Sequence, residues 1–393
     1  MPRIHFRRIP SAVVACAFVL AAPVVLARAV PAQSALARPS QATSVPTRLA
    51  DSTFWRMMTE FSEPGGYFRS DNFVSNETSF QYVIPELVST IKPGGVYLGV
   101  APDQNFTYIV ALKPSIAFIV DIRHQNAMQH LMYKALIELS ADRADFLSRL
   151  FSKPRPAGLD STSSAMALFQ AIGPGFPDSA SYRRNLDAIK NRLVKVHGFA
   201  LNDEELRSLE YVYSAFYTAG PSLTYNFGGG GGGFGRGMPS YDALMMESDG
   251  AGLNRSYLGS EANYRTLKDF EERNLLVPLT GNFAGDKTLR TVGAWVRERG
   301  AKITAFYTSN VEQYLWQQGD EASRFYKNVA TLPVDSTSMF IRSYSMGAGM
   351  SGFRQQSPNS RSVQLIGSIE ALLKAFSEGT LDGYFTVIRM SHQ

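Results

Sequence analysis

The chain has 393 residues, of which 45% are apolar and 19% charged, with a formal net charge of +5 and a single cysteine, Cys16. This length suffices for one large domain or two ordinary ones, and the apolar fraction is enough for a substantial core. One cysteine excludes an internal disulfide and the cysteine-rich zinc modules, and no His-Glu-x-x-His motif is present, so the sequence predicts no metal site.

The chain opens with the pattern of a removable secretory signal. Residues 1–10 carry three arginines and no acid, residues 11–27 are apolar, and the Ala-Arg-Ala at 27–29 fits a signal-peptidase site. The apolar run is short for a membrane span. We therefore expect residues 1–29 to be a signal peptide, and the mature protein to be secreted or periplasmic, without a stable membrane anchor.

Removal of this signal changes the charge of the chain. Residues 1–29 hold four arginines and no acid, so their loss lowers the formal net charge from +5 to +1. A nucleic-acid partner would require a basic field on the folded domain, so the sequence predicts no nucleic-acid binding. Residues 30–50 are rich in Ala, Pro, Ser and Gln without periodicity, which predicts a flexible linker ahead of a folded domain at 51–393.

Strand-like runs fall into two groups, separated by a long helical stretch. The first group, at 95–100 and 116–122, consists of continuous apolar runs, which are typical of parallel strands covered on both faces. Alternation of strand and helix at both ends of the domain predicts an α/β fold, a mostly parallel Rossmann-like sheet. A large helical insertion, about 126–273, would lie between its second and third strands. Further strands are predicted at 275–281, 302–309, 338–345 and 384–390, and further helices at 286–299, after 309 and at 362–377.

Two glycine-containing segments resemble motifs of known chemistry. FGGGGGGFGRGMPS, at 227–240, lacks the Gly-Lys-Ser/Thr of a phosphate-binding P-loop, so we interpret it as a surface hinge or lid. GMSGF, at 349–353, misses the G-x-S-x-G pattern of a serine hydrolase by one residue, which makes that activity the weakest functional hypothesis.

The first two predicted strands end on residues with the spacing of a nucleotide half-site. Gly99 precedes Asp121 by 22 positions, close to the distance between a glycine turn and a ribose-binding acid. Asp103 falls near the first turn of the intervening helix, where its carboxylate would repel a phosphate and suit a cationic amino group. These residues favour S-adenosylmethionine over NAD as the cofactor. The alternative is that Asp103 only caps its helix and Asp121 only ends a strand.

Stretches from about 72 to 344 carry a resemblance to a known family, among them VSNETSFQYVIPEL, GGVYLGVAPDQNFTYIVALKP, NLLVPLTGNFAGDK and AFYTSNVEQYL. The chain resembles an uncharacterised exported bacterial family with a methyltransferase-like Rossmann core. The resemblance implies a cofactor-binding position after the third strand, near the adenine. Asn282 occupies it, where the family has aspartate, and Ala101 stands where the family has glycine.

The segment TAFYTSNVEQYLW, at 304–316, would end the fourth strand, and ligands of open α/β sheets bind outside the carboxyl ends of strands. Methyltransferase-like folds place substrate groups there. We therefore predict substrate contacts from Ser309, Asn310, Glu312 and Tyr314. Ser309 and Glu312 also form an S-x-x-E capping box, which is the alternative interpretation of those two residues.

These elements lead to two functional hypotheses. In the first, the protein transfers a methyl group to an unknown substrate. Asp121 then holds the ribose hydroxyls, and Gly99 and Asp103 hold the amino-acid end of S-adenosylmethionine. In the second, a non-catalytic cell-envelope protein uses the same fold to bind a small-molecule ligand or a partner. The predicted export favours the second, because S-adenosylmethionine is made and kept inside cells.

Overall fold

The computed structural model describes residues 44–227, 237–345, 353, 356 and 362–393. The predicted signal peptide, most of the glycine-rich segment and all but Phe353 of GMSGF lie outside these described residues. Within the described ranges, no helix is both long enough and apolar enough to cross a membrane.

One sheet runs through the described part of the chain. Its strands are β1 (Val96–Gly99), β2 (Ile116–Asp121), β3 (Leu276–Thr280), β4 (Ile303–Ser309), β5 (Met339–Ser345) and β6 (Ser362–Ser368). Their order is β3-β2-β1-β4-β5-β6, and β6 alone is antiparallel to its neighbour. The predicted α/β fold with a mostly parallel sheet is confirmed. The strand order reverses between β1 and β4, and ligands bind at such a switch point.

Fifteen α-helices account for about half of the described residues outside the sheet. They are α1 (Asp51–Glu60), α2 (Ile84–Thr90), α3 (Gln104–Leu112), α4 (His124–Leu139), α5 (Arg143–Leu150), α6 (Ala165–Ile172), α7 (Ser179–Asn191), α8 (Asp203–Ala219), α9 (Tyr241–Met246), α10 (Glu261–Glu272), α11 (Thr288–Glu298), α12 (Val311–Leu315), α13 (Glu321–Val329), α14 (Ile369–Ser377) and α15 (Tyr384–Arg389). Every residue of β1, β2 and β3 is buried, as the apolar runs of covered parallel strands require.

The helices α4 to α10 lie between β2 and β3 in the chain, and α4 joins them to the sheet. It packs against β2 and β3 on one side and against α5, α7, α8 and α10 on others, and its residues from 126 to 138 are buried. α8 shows the amphipathic spacing expected of an outer helix, because Leu209, Val212 and Phe216 face inward. Asn202 and Glu205 form a capping box at its start.

The end of the chain differs from the sequence-based prediction. The predicted helix at 362–377 is β6 followed by α14, and the predicted strand at 384–390 is α15. β6 pairs with β5 along all seven of its residues and completes the edge of the sheet. α15 then buries Val387 and Ile388. β6 has seven residues and α15 has six, and over such lengths periodicity alone does not separate strand from helix, so strand pairing and packing decide.

Candidate functional site

A cavity lies at the carboxyl ends of the central strands. It contains about 1020 Å³ of empty space, part of which is open to solvent. Its lining includes the turn after β1, Asp121 at the end of β2, residues 281–283 after β3 and Ser309 at the end of β4, together with residues from the segment 67–77. This position is the crevice that the strand order predicts.

The turn after β1 is held closed by Asn105, the second residue of α3. Its amide nitrogen donates to the carbonyl oxygens of Val100 at 2.8 Å, Ala101 at 3.2 Å and Pro102 at 2.7 Å. A Cβ on Gly99 would lie 1.9 Å from the Asn105 Oδ1, so only glycine permits this close approach. Ala101 adopts a left-handed φ of 67°, a conformation that glycine adopts without strain. Gly99 thus shapes the turn and is not among the residues that line the cavity.

Asp103 points away from the cavity lining and into the helical layer. Its carboxylate accepts a hydrogen bond from the Tyr257 hydroxyl at 3.2 Å, and Tyr257 in turn contacts the Tyr241 hydroxyl at 2.5 Å. Burial raises the pKa of Asp103 to about 7. Its side chain makes no capping hydrogen bond to α3, so the interpretation of Asp103 as a helix cap is wrong.

Asp121 lines the cavity, and Arg123 fixes its carboxylate. Oδ1 accepts hydrogen bonds from the Arg123 backbone N–H at 2.8 Å and from its Nε at 3.1 Å, and Oδ2 accepts one from Nη2 at 2.8 Å. A carboxylate oxygen accepts two hydrogen bonds. Oδ2 therefore keeps a site for a ligand hydroxyl, while Arg123 brings a positive charge into the cavity lining.

Asn282 also lines the cavity, and two contacts hold its side-chain amide. Oδ1 accepts from the Ala284 backbone N–H at 3.0 Å, and Nδ2 donates to Glu321 at 3.1 Å. The position after β3 is therefore a fixed amide, next to the ring of Phe283 in the lining.

At the end of β4, three of the four predicted substrate residues line the cavity: Ser309, Asn310 and Tyr314. The fourth, Glu312, is buried behind them and pairs with Arg342, whose Nε lies 2.6 Å from Oε2. The capping box is wrong, because α12 begins without a side-chain cap and the Ser309 hydroxyl donates to Glu77 instead.

Glu77 is the residue that sequence reasoning missed. It is 4% exposed and lines the cavity, and it accepts hydrogen bonds from the Tyr307 hydroxyl at 2.9 Å, the Gln104 amide at 3.0 Å and Ser309. Burial raises its pKa, although these hydrogen bonds act in the opposite direction. The only sequence signal is a single acid in the polar run SNETS, just before α2, within the stretches that carry the family resemblance.

Residues 72–170 and 239–379, together well over half of the chain, match a family described as a domain of unknown function, DUF7790. The chain belongs to this family. The DUF7790 match includes Glu77, Asp121 and Ser309, whereas Phe68 and Tyr225, which also line the cavity, fall outside it. A comparison with curated proteins finds no match.

In the part of the chain that the structure describes, no group of three or more His, Cys, Asp or Glu is arranged to hold a metal ion.

Proposed function

We propose that this DUF7790 protein binds S-adenosylmethionine in the cavity and transfers its methyl group to a small-molecule substrate. One observation carries the proposal. A single cavity is lined by Asp121 at the end of β2, Asn282 after β3 and Ser309 at the end of β4. The methyltransferase-like core that the sequence resembles uses these strand ends for ribose, adenine and substrate.

The charge of the lining supports a cationic cofactor. Glu77, Asp121 and Glu321 contribute carboxylates, and Arg123 is the one lysine or arginine among the described residues that line the cavity. S-adenosylmethionine carries an ammonium and a sulfonium and no phosphate. An acidic cavity attracts such a ligand and repels the pyrophosphate of NAD.

Each part of the cofactor has a group that suits it. Asp121 would accept hydrogen bonds from the ribose hydroxyls, and the fixed amide of Asn282 would face the adenine. Arg123 would attract the carboxylate of the amino-acid part, because Gly99 and Asp103 do not line the cavity. The bound cofactor would supply an electrophilic methyl group, and Ser309, Asn310 and Tyr314 would position the substrate.

Isothermal titration calorimetry of the purified protein tests the proposal with three ligands. We expect S-adenosylmethionine and S-adenosylhomocysteine to bind, because both lack phosphate, and NAD not to bind. Absence of heat with the first two, or equal binding of NAD, would contradict the proposal.

The second candidate function is a non-catalytic cell-envelope protein that binds a small molecule. The Arg123–Asp121 ion pair favours it, because both oxygens of the expected ribose acid already accept hydrogen bonds within the protein. The predicted export favours it as well. Binding of small amines or alcohols without any binding of S-adenosylmethionine would select this alternative.

A further inference from the structure

Glu77 is a buried carboxyl group to which the described residues offer no cation. Tyr307, Gln104 and Ser309 donate hydrogen bonds to it, and Gln364 acts on its ionisation as a fourth side-chain hydrogen-bond partner; all four are neutral. Among the described residues, no lysine, arginine or histidine forms an ion pair with Glu77. A buried charge is costly unless it is paired. Such a group either takes up a proton or binds a positive charge from outside, and Glu77 lines the cavity through which a ligand would arrive.

The donors around Glu77 are ordered by a second set of contacts. Ser75 donates to the Gln104 Oε1, which leaves the Gln104 Nε2 to donate to Glu77 and to the Tyr108 oxygen at 3.2 Å. Tyr108 uses its own proton on the Phe80 carbonyl at 3.1 Å. The hydrogen bonds therefore run from Ser75 to Gln104 and branch there, with one branch ending on Glu77 and the other passing through Tyr108 to the Phe80 carbonyl. The arrangement suits an ionised carboxylate.

The backbone is distorted where Ser309 meets Glu77. Ser309 has a left-handed φ of 54°, and the pairing of β4 with β5 shifts register between Tyr307 and Ser309. A left-handed conformation is unfavourable for a non-glycine residue. Bulges near sites often redirect a side chain, and strain of this kind persists where the surroundings enforce it. Here the distortion brings the Ser309 hydroxyl onto Glu77 at the edge of the cavity.

Aromatic side chains line the same cavity. Tyr67, Phe68, Tyr225 and Tyr314 contribute to it, with the rings of Phe68 and Tyr314 packed edge to face at 5.7 Å, and Tyr67 is 86% exposed. Aromatic faces attract cations and provide apolar area for a ligand ring. A ligand that combines a ring with a positive charge would match both the aromatic side chains and Glu77.

We propose that the Glu77 end of the cavity binds the ammonium group of an arylalkylamine, and that this amine is the substrate of the proposed methyl transfer. The ammonium replaces the cation that Glu77 lacks, and Ser309 and Tyr307 keep the carboxylate oriented. Glu77 is also the acceptor for the proton that an ammonium loses before its nitrogen becomes nucleophilic. Only the assignment as substrate rests on the proposed function, because ammonium binding needs no cofactor.

Calorimetry with three probes that differ in one group tests this inference on the unaltered protein. Phenethylamine, 2-phenylethanol and phenylacetate share a ring and chain and carry a positive, a neutral and a negative group. We expect phenethylamine to bind at least about tenfold more tightly than 2-phenylethanol, because the ammonium makes a charge-assisted hydrogen bond, and phenylacetate not to bind. Equal binding of the alcohol or the acid, or no binding of the amine, would overturn the inference.

Glu77→Gln removes the charge and keeps the shape. It should lower phenethylamine affinity by about tenfold or more and abolish the preference over the alcohol. Tyr307→Phe is the second variant, which weakens the orientation of Glu77 without removing its charge and should cost less affinity. Glu298→Gln is the matched control, because Glu298 is exposed at the end of α11, just before the amino end of β4, whereas the cavity lies at the carboxyl ends of the strands. Melting curves of each variant verify folding, and unchanged amine affinity in folded Glu77→Gln would contradict the inference.

A further titration separates this inference from the proposed function. Binding of phenethylamine without any binding of S-adenosylmethionine would reject the methyltransferase and keep the ammonium site. The reverse result would reject the ammonium site alone. Phenethylamine should still bind in the presence of saturating S-adenosylhomocysteine. Its exclusion would show that the cofactor's own ammonium occupies this position, and the substrate assignment would be wrong.

Discussion

Glu138 in the helical layer and Glu77 in the cavity are both shielded from water, but their surroundings are opposite. At the end of α4, Glu138 is contacted by Lys134 at 2.8 Å, Arg192 at 2.6 Å and His197 at 2.7 Å. Burial acts to raise the pKa of Glu138, but the hydrogen bond from His197 and the charge of Lys134, together with Arg192, outweigh it and lower the pKa to about 2.

Around Glu77 the balance is reversed. Burial raises its pKa by more than the hydrogen bonds from Ser309, Gln104 and Tyr307 lower it. At Glu138 the chain itself supplies the cations, and the ionised carboxylate is stabilised there. Where only neutral donors are supplied and a cavity adjoins, the carboxylate is a binding group whose partner comes from outside.

The largest loss of stability is expected at Glu138, the carboxylate that the chain pairs with cations. Glu138→Gln should lower the free energy of unfolding by about 3–5 kcal/mol, because it leaves the buried Lys134 without its nearest anion and removes the anion that the half-buried Arg192 contacts. Urea denaturation at neutral pH measures it, with Glu298→Gln expected within about 0.5 kcal/mol of the unaltered protein. A Glu138 variant as stable as this control would remove the basis of the comparison.

The contribution of Glu138 to stability depends on pH, and the lowered pKa gives the direction of the change. The folded pKa of Glu138, about 2, lies below its ordinary value of 4.5. Its contribution to stability is therefore full above the ordinary pKa and is lost as the pH falls toward about 2. Urea titrations in this acid range should show a smaller loss of stability in Glu138→Gln than in the unaltered protein.

Asp121 lies between the two cases, because it is paired with Arg123 and also lines the cavity. Asp121→Asn should weaken S-adenosylmethionine binding by about 1.5–3 kcal/mol, since a charged acceptor of the ribose hydroxyls is lost. Its cost in stability should be smaller than that of Glu138→Gln, because Arg123 also donates to the Asp71 carbonyl. Calorimetry measures the binding, with the exposed Asp187→Asn as control. Unchanged affinity would make Asp121 purely structural.

Ser309 provides a matched pair of variants. Ser309→Ala and Ser309→Gly both remove the hydroxyl that contacts Glu77, but only glycine relieves the left-handed φ. Ser309→Gly should therefore be more stable than Ser309→Ala by about 1 kcal/mol. Thermal denaturation followed by circular dichroism compares them, and equal melting temperatures would show that Ser309 carries no strain.

The smallest expected change in stability belongs to Glu77→Gln, and its sign is opposite to that of Glu138→Gln. A raised folded pKa means that the ionised carboxyl destabilises the fold, with no penalty below the ordinary pKa and a growing one as the pH rises through the folded value. Above that value, Glu77→Gln should be as stable as the unaltered protein or more stable by less than about 1 kcal/mol. A loss similar to that of Glu138→Gln would show that the chain does pair Glu77.

The elements that sequence reasoning predicted are those set by local pattern. The continuous apolar runs of β1 and β2 and the acid that ends β2 could be read directly, and the cavity lies where the strand ends predict it. The direction of Asp103 could not be read, because Tyr257, more than 150 positions away, decides it.

The contacts between Glu77 and the end of β4 also join residues that are far apart in sequence. The capping box pairs Ser309 with a residue three positions on, but the contact that forms joins it to Glu77, 232 positions earlier. The hydrogen bond from Tyr307 to Glu77 spans 230 positions. Single-sequence periodicity carries no information about such pairs, so the central acid of the site emerges only once the strands are assembled.

The most direct test of the central claim, that Glu77 awaits a cation from a ligand, is the proton exchange that accompanies phenethylamine binding. Calorimetric titrations in two buffers of different ionisation enthalpy, repeated at pH values from the ordinary glutamate pKa of 4.5 upward, count the protons released. Because burial raises the pKa of Glu77 and a bound ammonium lowers it again, we predict proton release on binding, absent in Glu77→Gln. Binding without proton release at any pH in this range, or equal release in the variant, would contradict the account.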